Sequence, residues 1–248
     1  GDVIKVPDGF KNIDISPWRY NRKLSYIQRP LILIDYGGAK GNPIIYWTPR
    51  HLNHSWMFLN HLFMSGRYRA DEKSELERQI SIITKKRGAV VQEEVVNWLK
   101  KKTECIIDEE VEISPNGKLK SLTNIGDSDV FAIDHDKKVI YSIECKRTGQ
   151  AKNSKQMIEQ VEQYFGEGSK KGYFDKHTRR HSWLESNLAQ IGKVYGFDSS
   201  RYMVVSFFIT FEILAIQYME NRPLPIPMIS LFELKNMDYN QLYNKLNQ

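Results

Sequence analysis

The chain has 248 residues, 41% hydrophobic and 12% aromatic, which is enough apolar material for a buried core and excludes whole-chain disorder. Lys plus Arg is 36 against 30 Asp plus Glu, and the net charge of +6 suits a polyanionic partner without demanding one. The two cysteines, Cys105 and Cys145, form no CxxC pair and exclude a disulfide framework or a zinc knuckle, while the longest apolar run, YMVVSFFITFEILAI, is broken by Ser206, Thr210 and Glu212 short of the ~18 residues of a membrane span. A reducing, cytoplasmic setting with no membrane partner is expected. The opening Gly1 in place of Met is expected of an excised domain or a cloning scar.

Residues 1–27 carry turn formers and aromatics without a clear period. LILIDY (31–36) and NPIIYWT (42–48) read as strands around GGAKG, a glycine-rich turn that lacks the P-loop pattern. Residues 49–66 space Leu52, Trp56, Leu59, Leu62 and Phe63 as a helix does, with Gly66 as its stop. The histidines there, His51, His54 and His61, lack the spacing of a metal-binding pair and read as surface or packing groups. A charged helix over 69–88 ends near Gly88 and links to a second helix, 89–103, that buries Val91, Val95, Trp98 and Leu99. A strand follows at 105–114 and ends in a PNGK turn. Two more strands lie within GDSDVFAIDHDKKVIYSIECKRT (126–148). Then come a polar helix at 153–168, a basic segment at 168–183 and a helix at 181–196. Strands at 202–210 and near 226–232 and a helix at 238–247 complete the chain. The fold class this order predicts is α/β, a central mixed β-sheet flanked by helices, with an N-terminal α/β extension. The expected division is an accessory region at 1–86, a short hairpin plus helices, and a main domain at 87–248.

The two strands of 126–148 carry charges inside apolar runs, where an unpaired charge is costly. Side chains alternate along a strand, so Glu144 and Lys146 share a face and Cys145 takes the other. A four-residue loop, His135 to Lys138, pairs Asp134 with Val139 and, counted back, sets Asp129 opposite Glu144. Two carboxylates meeting on one face call for a positive charge between them. Oxygen ligands favour Mg²⁺, with Mn²⁺ as a substitute, and the backbone carbonyl of Cys145 is a candidate third ligand. Lys146 beside such a cation can orient or deprotonate water, or neutralise a phosphate oxygen. The plain alternative is an interstrand ion pair of Lys146 with Asp129 or Glu144 at a sheet edge.

These residues resemble the PD-(D/E)xK nuclease superfamily, which includes restriction endonucleases, resolvases and RecB-type nucleases. GDSDVFAID matches with Asp129 as the motif aspartate, YSIECKR with Glu144, Cys145 and Lys146 as ExK, and RGAVVQEEVVNWLKKKTECIIDEEVEI as the first helix and strand. The resemblance covers roughly residues 87–232. It implies a restriction endonuclease-like sheet, Mg²⁺ dependence and cleavage of nucleic acid, usually DNA, by metal-activated water. The family's usual helix glutamate is missing: the matching position is Gln92 on facing and Glu93 on chemistry. Gln160 and Gln163 stand where many members carry a residue reaching toward the site.

The segment 168–183 gathers Lys170, Lys171, Lys176, Arg179 and Arg180, the expected phosphate contacts. Its Trp183 reads as a core anchor, and His177 and His181 carry no assigned role. A non-catalytic nucleic-acid-binding or scaffold module on a degenerate nuclease fold is the rival reading, and a small-nucleotide phosphohydrolase a third. A homodimer, a larger parent chain and a complex all stay open as assemblies.

Overall fold

A computed structural model describes residues 31–34, 44–64, 68, 70–151 and 154–247. The chain divides into two compact units, residues 1–84 and 85–248. In the first unit, β1 (Ile32–Ile34) pairs antiparallel with β2 (Ile44–Tyr46), Ile34 in register with Ile44. Helix α1 (Pro49–Met64) starts on a proline, whose missing N–H costs nothing in a first turn. The glycine turn at 37–41 and the stop at Gly66 lie outside the described residues.

Helix α2 runs unbroken from Glu75 to Lys102. The expected stop at Gly88 does not occur. A glycine ends a helix when the chain needs a left-handed residue there, and Gly88 is not among those with positive φ. Inside a helix it costs only about 1 kcal/mol against alanine, and the glutamates of the first turn and the lysines of the last suit the helix dipole.

The second unit is a mixed six-stranded sheet in the order β4-β3-β5-β6-β7-β8. It comprises β3 (Ile106–Ser114), β4 (Leu119–Lys120), β5 (Gly126–Asp134), β6 (Val139–Lys146), β7 (Met203–Thr210) and β8 (Met228–Ser230). The three strands β3, β5 and β6 form an antiparallel meander, and β7 joins β6 in parallel. That parallel step needs a crossover, supplied by α3 (Ser154–Phe165), α4 (Tyr173–Ser186) and α5 (Leu188–Tyr195). After β8 come α6 (Leu231–Lys235) and α7 (Tyr239–Leu246). The helix expected at 181–196 is therefore two helices that meet at Asn187, and the basic segment before it is mostly the body of α4.

The central strands are buried on both faces and read as near-continuous apolar runs. On one face Val130, Tyr141, Ile143, Cys145 and Phe207 pack under α2, α6 and α7, with Val91, Val95, Trp98 and Leu99 supplied by α2. The other face holds two separate apolar clusters. Phe131, Ile140 and Val204 pack with Leu184 and Ile191, and Phe208 packs with Tyr164 and Phe174. Between them runs a polar seam. Ser142, Ser206, His177 and Arg180 are all buried there, with the Ser142 hydroxyl 3.0 Å from that of Ser128 and the Ser206 hydroxyl 3.0 Å from Nδ1 of His181.

Candidate active site

The turn between β5 and β6 sets the geometry of the seam. The Asp134 carboxylate accepts the N–H groups of Asp136 and Lys137, both at 2.8 Å, and Lys138 closes the turn with φ of 57°. That turn pairs Asp134 with Val139, and the ladder runs back to Val130 opposite Ile143. One step further, regular pairing stops. The N–H of Cys145 donates instead to Oδ2 of Asp129 at 2.6 Å. The carboxylate of Asp129 takes the place of a strand carbonyl, which holds it at the end of the ladder beside Glu144.

Asp129, Glu144 and Lys146 are brought together. Nζ of Lys146 lies 2.6 Å from Oε1 of Glu144 and 3.5 Å from Oδ2 of Asp129. It also sits 5.5 Å from the centre of the Tyr173 ring. The ion pairs of the plain alternative are thus present, in a half-buried setting rather than at a sheet edge: β6 lies between β5 and β7.

Arg180, expected at the surface to contact phosphate, is instead buried in α4, with Nη1 2.5 Å from Oε2 of Glu144. The same Nη1 donates to Nδ1 of His177 at 3.0 Å, and the His177 ring is fixed by its Nε2, 3.3 Å from the carbonyl of Phe207. Since Arg180 can only donate, Nδ1 accepts and the proton sits on Nε2. Gly126, with φ of 107°, leaves room for the guanidinium: a β-carbon there would lie 3.3 Å from Nη2. Sequence reasoning missed Arg180 and His177 as members of the cluster. The signal was the three-to-four spacing of Phe174, His177, Arg180 and Leu184, the buried stripe of a helix.

The electrostatics split the two carboxyls. Burial pushes Asp129 up to about 6, against the pull of Lys146 and with a further push from Glu144. Burial also acts on Glu144, but Lys146 and Arg180 outweigh it and hold this carboxyl at about 2. Burial would lower the Lys146 ammonium, but Glu144 and Asp129 reverse that and raise it. His177 is pushed down to about 4 by burial and by Arg180 and stays neutral.

The other expected site residues lie elsewhere. Nε2 of Gln92 donates to Oε2 of Glu109 on β3 at 3.3 Å, Glu93 is exposed, and Glu94 pairs with Lys235 at 2.7 Å. Helix α2 packs on the Cys145 face of the sheet, opposite Glu144 and Lys146, so neither Gln92 nor Glu93 bonds to the cluster. Gln160 is buried and donates to the carbonyl of Gly149, with its own Oε1 lacking a partner among the described residues. Gln163 donates to the hydroxyl of Tyr173 at 2.7 Å, whose ring centre lies 5.5 Å from Nζ of Lys146. Of the basic residues, Lys170, Lys171 and Arg179 line an open groove of about 780 Å³ with Phe174, Thr178 and Pro225. Arg179 also donates to the carbonyl of Asn124, and Lys176 is exposed outside that lining.

Among the described residues no three His, Cys, Asp or Glu side chains gather as a metal site. Asp129 and Glu144 alone meet the lower requirement of Mg²⁺, which is held through one or two carboxylates with water and substrate phosphate completing its shell. Oδ1 of Asp129 has no hydrogen bond among the described residues, and both carboxylates reach one ammonium. The donor set therefore fits a hard divalent cation, with Arg180 and Lys146 already bound to Glu144.

The fold and the cluster together define an α/β protein with an acidic pair and two cations set in a polar seam of its sheet. The chain belongs to the Upx-like family of anti-phage proteins, whose family model matches residues 3–225. No curated protein and no solved structure matched it. A defence role is the one that this family carries. Among the described residues, no helix is long and apolar enough to cross a membrane.

Proposed function

We propose that this chain is a metal-dependent nuclease of the PD-(D/E)xK type, hydrolysing phosphodiester bonds of nucleic acid, DNA in the first instance. The observation that carries the reading is the meeting of Asp129 and Glu144 on one ammonium, that of Lys146, where the β5–β6 ladder ends. The strand order supports it too: an antiparallel meander with β7 added in parallel agrees with the sheet the resemblance implies. Asp129, Glu144 and the Cys145 carbonyl are the groups that would hold Mg²⁺ or Mn²⁺. When bound, the cation acidifies water and offsets charge on the phosphate. Lys146, held protonated, neutralises a phosphate oxygen and orients water, while Tyr173 closes one side of its ammonium. Lys170, Lys171 and Arg179 lie along a groove that suits the phosphate backbone.

The test is cleavage of single-stranded, duplex and branched DNA and of RNA, with Mg²⁺, Mn²⁺ or EDTA. EDTA should abolish cutting, and Asp129→Ala should reduce it about 100-fold or more. Equal cutting by Asp129→Ala would remove this site from the reaction.

One observation favours the rival reading of a non-catalytic nucleic-acid-binding or scaffold module. Both oxygens of Glu144 are already in ion pairs, and the helix position offers Gln92 in place of glutamate. Such a module would bind nucleic acid with no Mg²⁺-dependent cleavage, and Lys146→Ala would leave its affinity unchanged.

A further inference from the structure

Glu144 has two cations bound to it, and the motif accounts for only one. Lys146 belongs to the ExK run. Arg180 arrives from helix α4, with 6% of its side chain exposed against 25% for Lys146. It is held on two sides, by Glu144 at 2.5 Å and by the Nδ1 of His177 at 3.0 Å. Its Nε is buried with no partner among the described residues. Burying a guanidinium with an unused N–H is costly, and an apolar side chain of similar volume would often pack as well. The surroundings nevertheless keep its place open, with a glycine at 126 and the neutral His177 as acceptor.

We propose that Arg180, positioned by His177, is a built-in counter-ion of Glu144 that competes with the divalent cation for this carboxylate. The inference rests on the nuclease reading and adds a control on metal loading. Arg180 holds Glu144 in place when no metal is bound. A cation that binds Asp129 and Glu144 must either share Oε2 with Arg180 or draw Glu144 away from it. It does so against the repulsion of a fixed positive charge next to its own ligand. That repulsion is large where water is scarce. The site is therefore weak for metal by design of its neighbours, and Arg180 is a positioning residue rather than a catalytic one.

The experiment is a calorimetric titration of the full chain with Mn²⁺ alone, without nucleic acid. Arg180→Met should bind Mn²⁺ about tenfold or more tighter than the unaltered protein. The added affinity should disappear when Asp129→Asn is combined with it. A purely structural role for Arg180 would give the opposite sign, since a loosened site binds metal less well. Arg180→Lys serves if the methionine variant does not fold: its ammonium ends short of the position of Nη1, which makes both contacts, so its hold on Glu144 is weaker and Mn²⁺ should bind about threefold tighter. Affinity equal to or below that of the unaltered protein in these variants, with Asp129→Asn still abolishing binding, overturns the counter-ion and leaves the nuclease reading standing. Mn²⁺ binding that ignores Asp129→Asn, or is absent from every variant, overturns the metal site beneath both.

Discussion

At the scale of single residues, the seam is a chain of charges whose protonation states oppose one another. Neutral His177 binds fewer protons folded than unfolded between pH 4 and 6.5, so its contribution to stability is full above 6.5 and is lost as the pH falls toward 4. Glu144 acts in the same direction lower down: its contribution is present above 4.5 and is lost as the pH falls toward 2. Asp129 works the other way. Its raised carboxyl binds more protons folded, so its contribution falls as the pH rises from 3.8 to 6. In the shared window the two slopes cancel in part. Asp129→Asn should therefore steepen the loss of stability in acid, and His177→Gln should flatten it, each by up to about 1.4 kcal/mol per pH unit. Urea unfolding at pH 4 to 7 measures both, and slopes that change in the same direction would contradict these protonation states.

At the scale of elements, α2 shows how weak a stop signal is without a matching backbone. Gly88 sits inside a continuous helix with nothing within 4 Å of where its β-carbon would be. Gly88→Ala should then stabilise the protein by about 0.5–1 kcal/mol in chemical denaturation; destabilisation would mean the helix breaks there after all. Gly172, at the start of α4, is the contrary case. A β-carbon there would lie 2.3 Å from the carbonyl of Tyr164 and 2.4 Å from the amide of Gly166. Gly172→Ala must push α3 and α4 apart, and with them the Tyr173 ring beside Lys146. A loss of a few kcal/mol in stability is expected by analogy with overpacked cores, read as a lower urea midpoint.

At the scale of the whole molecule, the charge that matters is local rather than net. The excess of six positive charges is modest, but Lys170, Lys171 and Arg179 come together along one groove. If nucleic acid lies there, changing Lys170 and Lys171 together to Ala should weaken binding of unrelated sequences alike. It should also reduce the slope of log affinity against log salt by about 2. A fluorescence anisotropy titration across salt concentrations reads that slope, and an unchanged slope would move the phosphate path elsewhere.

The local chemistry of the hairpin was legible in the sequence. Apolar runs either side of a four-residue loop dictated the register, and alternation put Asp129, Glu144 and Lys146 on a common face, because both effects come from neighbouring residues and short-range sterics. The buried stripe of α2 at Val91, Val95 and Leu99 was legible for the same reason. Which face of the sheet that helix covers was not, and this is what takes Gln92 to Glu109 and leaves Glu93 in solvent. Nor could spacing say that Arg180, one basic residue in a basic run, turns inward to Glu144 while Arg179 turns outward. Those outcomes depend on how helices distant in sequence share one sheet, and that packing is decided by the whole core at once rather than by any segment of the chain.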